Sequence, residues 1–216
     1  SGALSAYYLI NAGVKCIIVD ARTIGLGSTC ASTSLLQYEL DKPLSELTHL
    51  IGWNAAERSY RLCSNSIDTL ENICTTIKFR NFHKENSLFF AAYKKDQKLL
   101  KAEYASRKKA GFDVQLLNEK DIEQKFGFYA SSAILSAQGA TTDAYLLTHA
   151  LLQSSLTKGL LVFDRTEISK INYNKRSVKL STLNGNTIYA NKIVNASGNE
   201  ITEFIEKKIV KLNSTY

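Results

Sequence analysis

The chain has 216 residues, 44% hydrophobic, 22% charged and 10% aromatic, enough apolar material to bury a sizeable core, which excludes disordered and fibrous classes. No stretch approaches the ~18 consecutive apolar residues of a membrane span, and the first residues show no charged-then-apolar leader, so neither a membrane-spanning nor a secreted protein is expected. A net charge of +7 invites a nucleic-acid partner, because clustered Lys and Arg supply most non-specific affinity for phosphates, so the distribution of the charges along the chain has to decide.

The absence of methionine, and a helix that begins within two residues of Ser1, mark the sequence as a piece of something longer. Ala3 to Ala12 reads as that helix, with Leu4, Tyr7, Tyr8 and Ile10 or Asn11 on adjoining turns and Gly13 at the usual left-handed cap. Val14 to Val19 follows at once as an almost unbroken apolar run ending on Asp20, the pattern of a strand buried on both faces of a parallel sheet. From Pro43 to about Ile77 the pattern is helical, with a break near Gly52-Trp53. Ala56, Tyr60, Cys63, Ile67, Leu70, Cys74 and Ile77 recur at spacings of four and three, placing both cysteines on a buried face as core packing. Cys16, Cys30, Cys63 and Cys74 have neither metal-ligand nor disulfide spacing, so no metal site is expected and reduced thiols in a cytoplasmic setting are.

Ser87 to Tyr93 reads as a strand, Asp96 to Ala110 as a helix ended by Gly111, and Asp113 to Leu117 as a short strand, with Asn118 and Asp121 opening one more helical turn. Tyr93 to Lys109 holds seven basic residues, but Leu99, Ala102 and Ala105 or Ser106 trace a less polar stripe through it. The charges therefore read as a solvated helix face, and no nucleic-acid partner is expected. Gln138 to Asp143 reads either as a substrate-side turn or as a helix N-cap through Thr142 or Asp143. Asp143 to Lys158 is a helix closed by Gly159, followed by a β-meander over 160–163, 167–173, 177–183 and 187–190 that turns through Asn184-Gly185. Lys192 to Ala196 is a second buried run, expected to lie in one parallel sheet with Val14 to Val19, the meander outside it. His49, His83 and His149 stand alone, His149 as a packed or exposed helix residue.

The most informative spacing joins Gly2 to Asp20. A dinucleotide fold sets G-x-G-x-x-G between its first strand and helix, and about 20 residues on a carboxylate at the tip of the next strand accepts ribose hydroxyls. Gly2 and Asp20 suit the third glycine and the acid, with the first strand and two glycines falling before Ser1. Ala21 to Gln37 is then a loop dense in small residues and hydroxyls, able to approach a pyrophosphate closely and donate N–H and O–H groups to it. Cys30 in that loop reads as a small loop residue rather than as a flavin thioether.

These segments resemble the D-amino-acid oxidase family of FAD-dependent oxidoreductases, in which the acid is followed by a G-x-G/S-S/T-x-x-S/N segment. The likeness covers Ser1 to Gln37, and the meander with Ile193-Val-Asn-Ala-Ser-Gly198 is similar to the family's return to the cofactor. It implies an α/β chain: a Rossmann-like FAD-binding domain with a β-meander, plus part of an α+β substrate domain. It further implies FAD as cofactor, with Gly2 near the pyrophosphate, Asp20 on the adenosine ribose and Arg22 on the adenine side. Gly27, Ser28 and Thr29 would meet the phosphates or ribityl chain, and Ser32, Thr33, Leu36 and Gln37 the isoalloxazine. Ile168 would offer backbone groups to adenine, and Ala196, Ser197 and Gly198 would close over the phosphates. Leu35-Leu36 departs from the Gly-Gly or Asn-Gly common in the family.

The domains expected are 1–78 and 141–204 for the cofactor, 79–140 for the substrate, and 205–216 as the start of a further substrate-domain strand. The function expected is an enzyme that oxidises a small amine, amino acid or hydroxy acid by hydride transfer to the flavin N5, its catalytic residues unassigned and its substrate a small molecule. As a piece, the chain is not expected to turn over substrate alone. The alternative is a nicotinamide-binding α/β domain, or a basic nucleic-acid-binding module, in which Asp20 is a plain strand-end residue.

Overall fold

A computed structural model of the chain describes residues 1–198. In chain order these form α1 (Gly2–Asn11), β1 (Ile17–Val19), β2 (Leu35–Gln37), α2 (Leu44–Ile51), α3 (Trp53–Thr76), β3 (Phe82–Phe90), α4 (Gln97–Lys109) and β4 (Val114–Leu117). There follow α5 (Glu119–Phe126), β5 (Ala133–Thr142), α6 (Ala144–Leu156), β6 (Leu161–Phe163), β7 (Ile168–Tyr173), β8 (Val178–Thr182) and β9 (Thr187–Ala190). The described residues divide into two compact units, one of Ser1–Ser32 with 144–198, the other of Thr33–Asp143.

In the first unit β1 runs parallel to β6, Ile17 beside Leu161 and Val19 beside Phe163. Helix α1 turns Ala3, Ala6, Tyr7 and Ile10 inward and packs on α6, whose buried side is Leu147, Leu151, Leu152 and Ser155. Each such leucine gains about 1.5–3 kcal/mol by leaving water. Gly13 ends α1 at φ +77°, where a side chain would be strained, and its N–H returns to Ile10 O. Strands β7, β8 and β9 form a separate antiparallel sheet, with the Asn184-Gly185 turn joining the last two. Two expectations fail here. Leu160 to Phe163 belongs to the parallel pair rather than to the meander, and Lys192 to Ala196 is not a strand. An apolar run becomes a strand only when a neighbour takes its N–H and C=O groups. Among the described residues none does so for 192–196, and Val194 is exposed. Nor is β1 buried on both faces, Ile17 being exposed. The strand expected over 205–216 lies outside the described residues.

In the second unit β5 is the central strand, antiparallel to β2, β3 and β4. Two of these were unforeseen. Strand β2 lies within the segment read as loop, and β5 takes in Gln138 to Thr142, which is therefore no turn, while Asp143 stands immediately before α6, at one of the two cap positions expected. Gly139 is needed there, since a Cβ would stand 3.0 Å from Glu85 O and 3.4 Å from Leu36 O. Helix α3 lays Ala56, Tyr60 and Ile67 on the sheet, Cys74 is buried and Cys63 packs at the core's margin, as the spacing requires. Gly52, at φ +81°, makes the break between α2 and α3. Tyr38 stacks on Phe112 with ring centres 4.8 Å apart, and Tyr60 meets both edge-on. The division at 32/33 puts α2 and α3 with the β2–β5 sheet, because their apolar faces are spent on it.

Helix α4 departs most from its sequence pattern. Its buried residues are Leu100, Glu103 and Arg107, while Ala102 is exposed. Arg107 donates from Nε to Glu103 Oε1 at 2.7 Å and from Nη1 to Glu39 Oε1 at 2.9 Å, with its guanidinium within 6.0 Å of the rings of Tyr38, Tyr60 and Phe89. Glu103 in turn accepts from Leu44 N at 3.0 Å and Ser45 N at 2.8 Å, the first amides of α2, which has no cap of its own because Pro43 precedes it. Burial works against the Arg107 charge, but the bond to Glu103 and the two carboxylates outweigh it and hold the pKa above the usual arginine range.

Candidate cofactor-binding site

Asp20 sits at the C-terminal tip of β1, where open α/β sheets gather ligands. Its backbone is tied on both sides: Asp20 N donates to Phe163 O at 3.0 Å, and Asp20 O accepts from Thr166 N at 2.8 Å. Its Oδ1 accepts from Arg22 N at 2.9 Å, and its Oδ2 has no bond among the described residues. One carboxylate oxygen fixes the turn and the other is left to accept. Arg22 O accepts from Arg165 N at 3.1 Å, so the segment entering β7 is laced to the Asp20 turn and Ile168, its first strand residue, starts two residues beyond the Thr166 bond.

The loop beyond Asp20 is held by short-range bonds, Leu26 N to Thr23 O, Ala31 N to Ser28 O and Cys30 Sγ to Gly27 O. The Arg22 guanidinium lies 3.9 Å from where a Cβ on Gly27 would be. Gly25 is in the left-handed region at φ +82°, and a Cβ there would meet the Tyr145 ring at 2.9 Å. Tyr145 and His149, one turn apart on α6, hold their rings 4.5 Å apart beneath this loop, and His149 Nε2 is buried with no hydrogen-bond partner among the described residues. Sequence reading missed this support, whose one available signal was Gly25 itself.

Among the described residues no side chain caps the N-terminus of α1, the positive end of that helix's dipole. Ala196 packs against it, its Cβ 3.4 Å from where a Cβ on Gly2 would stand, and Gly198 follows at φ +66°. Gly2, Asp20, Arg22, Gly27, Ser28, Thr29, Ser32, Ile168, Ala196, Ser197 and Gly198 thus all belong to the first unit. Thr33, Leu36 and Gln37 belong to the second, where Leu36 pairs with Ala140 and packs into the core while Gln37 is exposed. No cluster able to hold a metal ion is found among the described residues, nor is any helix long and apolar enough to cross a membrane.

A parallel β-pair with an acid at its tip, a helix N-terminus and an appended meander define a dinucleotide-binding α/β protein. Residues 1–214 match the model of the FAD dependent oxidoreductases named DAO, and the chain belongs to that family, whose cofactor is FAD. No curated protein matches it. Among solved structures it is similar to glycine oxidase from Geobacillus kaustophilus (TM-score 0.76, 19% identity, 91% of this chain and 52% of that one). It is similar also to L-proline dehydrogenase from P. horikoshii (0.75, 17%, 91% and 50%) and to L-alpha-glycerophosphate oxidase from Mycoplasma pneumoniae with FAD bound (0.68, 14%, 85% and 47%). At these identities the likeness is one of fold. The chain spans about half the length of these structures.

Proposed function

We propose that the chain supplies the cofactor-binding part of an FAD-dependent oxidoreductase that acts on a small amine, amino acid or hydroxy acid in the cytoplasm. The observation that carries this is Asp20, a strand-tip carboxylate with one oxygen used by Arg22 N and the other open. When bound, FAD supplies the hydride-accepting N5, and the protein's work is to bind and orient. Asp20 Oδ2 would accept from the adenosine ribose, with Arg22 and the backbone of Ile168 beside the adenine. The first amides of α1, at Gly2, would face the pyrophosphate, with Gly27, Ser28, Thr29, Ala196, Ser197 and Gly198 lining it. Ser32, Thr33, Leu36 and Gln37 would lie toward the isoalloxazine. The unit of 33–143 is read as the substrate side. Glycine, proline and glycerophosphate, in the names of the similar structures, support substrates with an oxidisable C–N or C–OH bond.

The test is to titrate the full-length apoprotein with FAD by flavin fluorescence, then to mix the loaded protein anaerobically with a panel of amino acids and hydroxy acids. Stoichiometric flavin and bleaching by one substrate class are expected. Failure to retain flavin would overturn the proposal.

A further inference from the structure

Helix α2 gives its first apolar residues to the core of the second unit, Leu44 fully buried and Leu47 packed at the margin. One turn further on, Leu50 and Ile51 run past that core and stand 66% and 50% exposed. Gly52 then turns the chain at φ +81° into α3, which leaves the two side chains at the tip of the α2–α3 corner. A single exposed leucine is ordinary, whereas adjacent large aliphatic side chains at a protruding corner suit a surface that contacts something apolar.

The ground around that tip is basic. Trp53, the first residue of α3, is half-buried, and the Lys109 ammonium stands 4.3 Å from its ring centre. Lys109 ends α4 next to Lys108, and both are exposed, as is Arg58 on α3. None of these three cations forms an ion pair among the described residues. The acids of the same two helices nearest the corner are answered within their own helix or beside it, Glu57 by Arg61 at 3.0 Å and Glu46 by Lys42 at 3.8 Å. The corner is therefore an aliphatic tip beside a tryptophan, rimmed by uncompensated positive charge, on a chain of net charge +7.

That combination matches the interface of a bilayer with anionic lipids. Aliphatic side chains reach among the headgroups, a tryptophan ring sits at their level, and lysine and arginine meet the lipid phosphates. A nucleic acid would answer the charge but leave Leu50 and Ile51 in water. Among the described residues no helix is long and apolar enough to cross a membrane, so the contact is shallow, at a depth where water still serves the backbone of the corner.

We propose that the α2–α3 corner docks the protein on an anionic bilayer surface, with Leu50 and Ile51 inserted among the headgroups and Arg58, Lys108 and Lys109 on the lipid phosphates. The docking does not depend on the flavin reading. The test is cosedimentation of the full-length protein with vesicles of phosphatidylcholine, with and without phosphatidylglycerol, at low and high salt. Binding is expected to the vesicles holding phosphatidylglycerol and to fall as salt rises. Leu50→Ser/Ile51→Ser should abolish it while flavin content and melting temperature stay as they are, both side chains being exposed. Lys108→Gln/Lys109→Gln should weaken it about fivefold per charge removed, the worth of one basic residue at an anionic surface. Lys175→Gln/Arg176→Gln in the first unit, which lowers the net charge equally, should leave it nearly unchanged. Absence of binding to the anionic vesicles, full binding by the serine variant, or equal weakening by both charge variants would overturn the proposal. So would an RNA oligonucleotide bound in place of vesicles with no effect of the serine changes.

Discussion

The amide of Thr166 donates to the carbonyl of Asp20 at 2.8 Å, joining the tip of β1 to the approach of β7 across 146 residues of sequence through backbone atoms alone. The Asp20 turn therefore keeps its tether when the side chain is replaced. Asp20→Ala is predicted to weaken FAD binding by about 1–3 kcal/mol, the cost of leaving hydrogen-bonding partners unmatched, with the melting temperature of the apoprotein little changed. FAD titration and thermal denaturation of the same preparation check both halves.

Gly25→Ala adds two costs in one methyl group, a left-handed backbone at φ +82° and a Cβ 2.9 Å from the Tyr145 ring. A loss of about 1–3 kcal/mol is predicted. In the Gly25→Ala/Tyr145→Ala double variant the clash disappears and the backbone strain stays, so the cycle measured by urea unfolding should show a coupling of about 0.5–3 kcal/mol. Strict additivity would refute the clash.

Arg107→Met would leave Glu103 and Glu39 buried without their counter-charge, at a predicted cost of about 3–5 kcal/mol. Adding Glu39→Gln should recover part of it by removing one of the two stranded charges. Denaturant midpoints of the single and double variants decide.

Asp68 on α3 accepts from Gln138 Nε2 at 2.9 Å and Lys84 Nζ at 2.7 Å, and those bonds, led by Gln138, hold its carboxyl below the ordinary value of 3.8. A depressed folded pKa gives stability that is fully present above the unfolded value and lost as pH falls through the folded one. Asp68→Asn should therefore cost stability at neutral pH, by no more than about 1 kcal/mol for so exposed a pair, and nothing once the wild-type carboxyl is protonated. Urea midpoints of both proteins from pH 7 down to about pH 2 test the sign.

Elements held by contacts close in sequence could be read from the residues. Asn118 and Asp121 form the reciprocal cap expected of them, Gly13 and Gly52 end their helices, Asn184-Gly185 turns the hairpin, and the four-and-three spacing of α3 names its buried face. The pairing of Gly2 with Asp20 likewise pointed to a cofactor chain of the family to which it belongs. The tertiary structure alone decided which strands pair, since a ladder joins residues far apart and leaves no local periodicity when both neighbours are supplied from elsewhere. Thus β5 became the centre of a sheet from Ala133-Ile-Leu-Ser-Ala-Gln-Gly-Ala-Thr-Thr142, while the more apolar run of 192–196 found no partner among the described residues. It decided too that Glu103 and Arg107 lie in a core. A charged residue on a basic helix reads as solvated until Glu39 from the segment after β2 and the uncapped amides of Leu44 and Ser45 from another helix are brought to it.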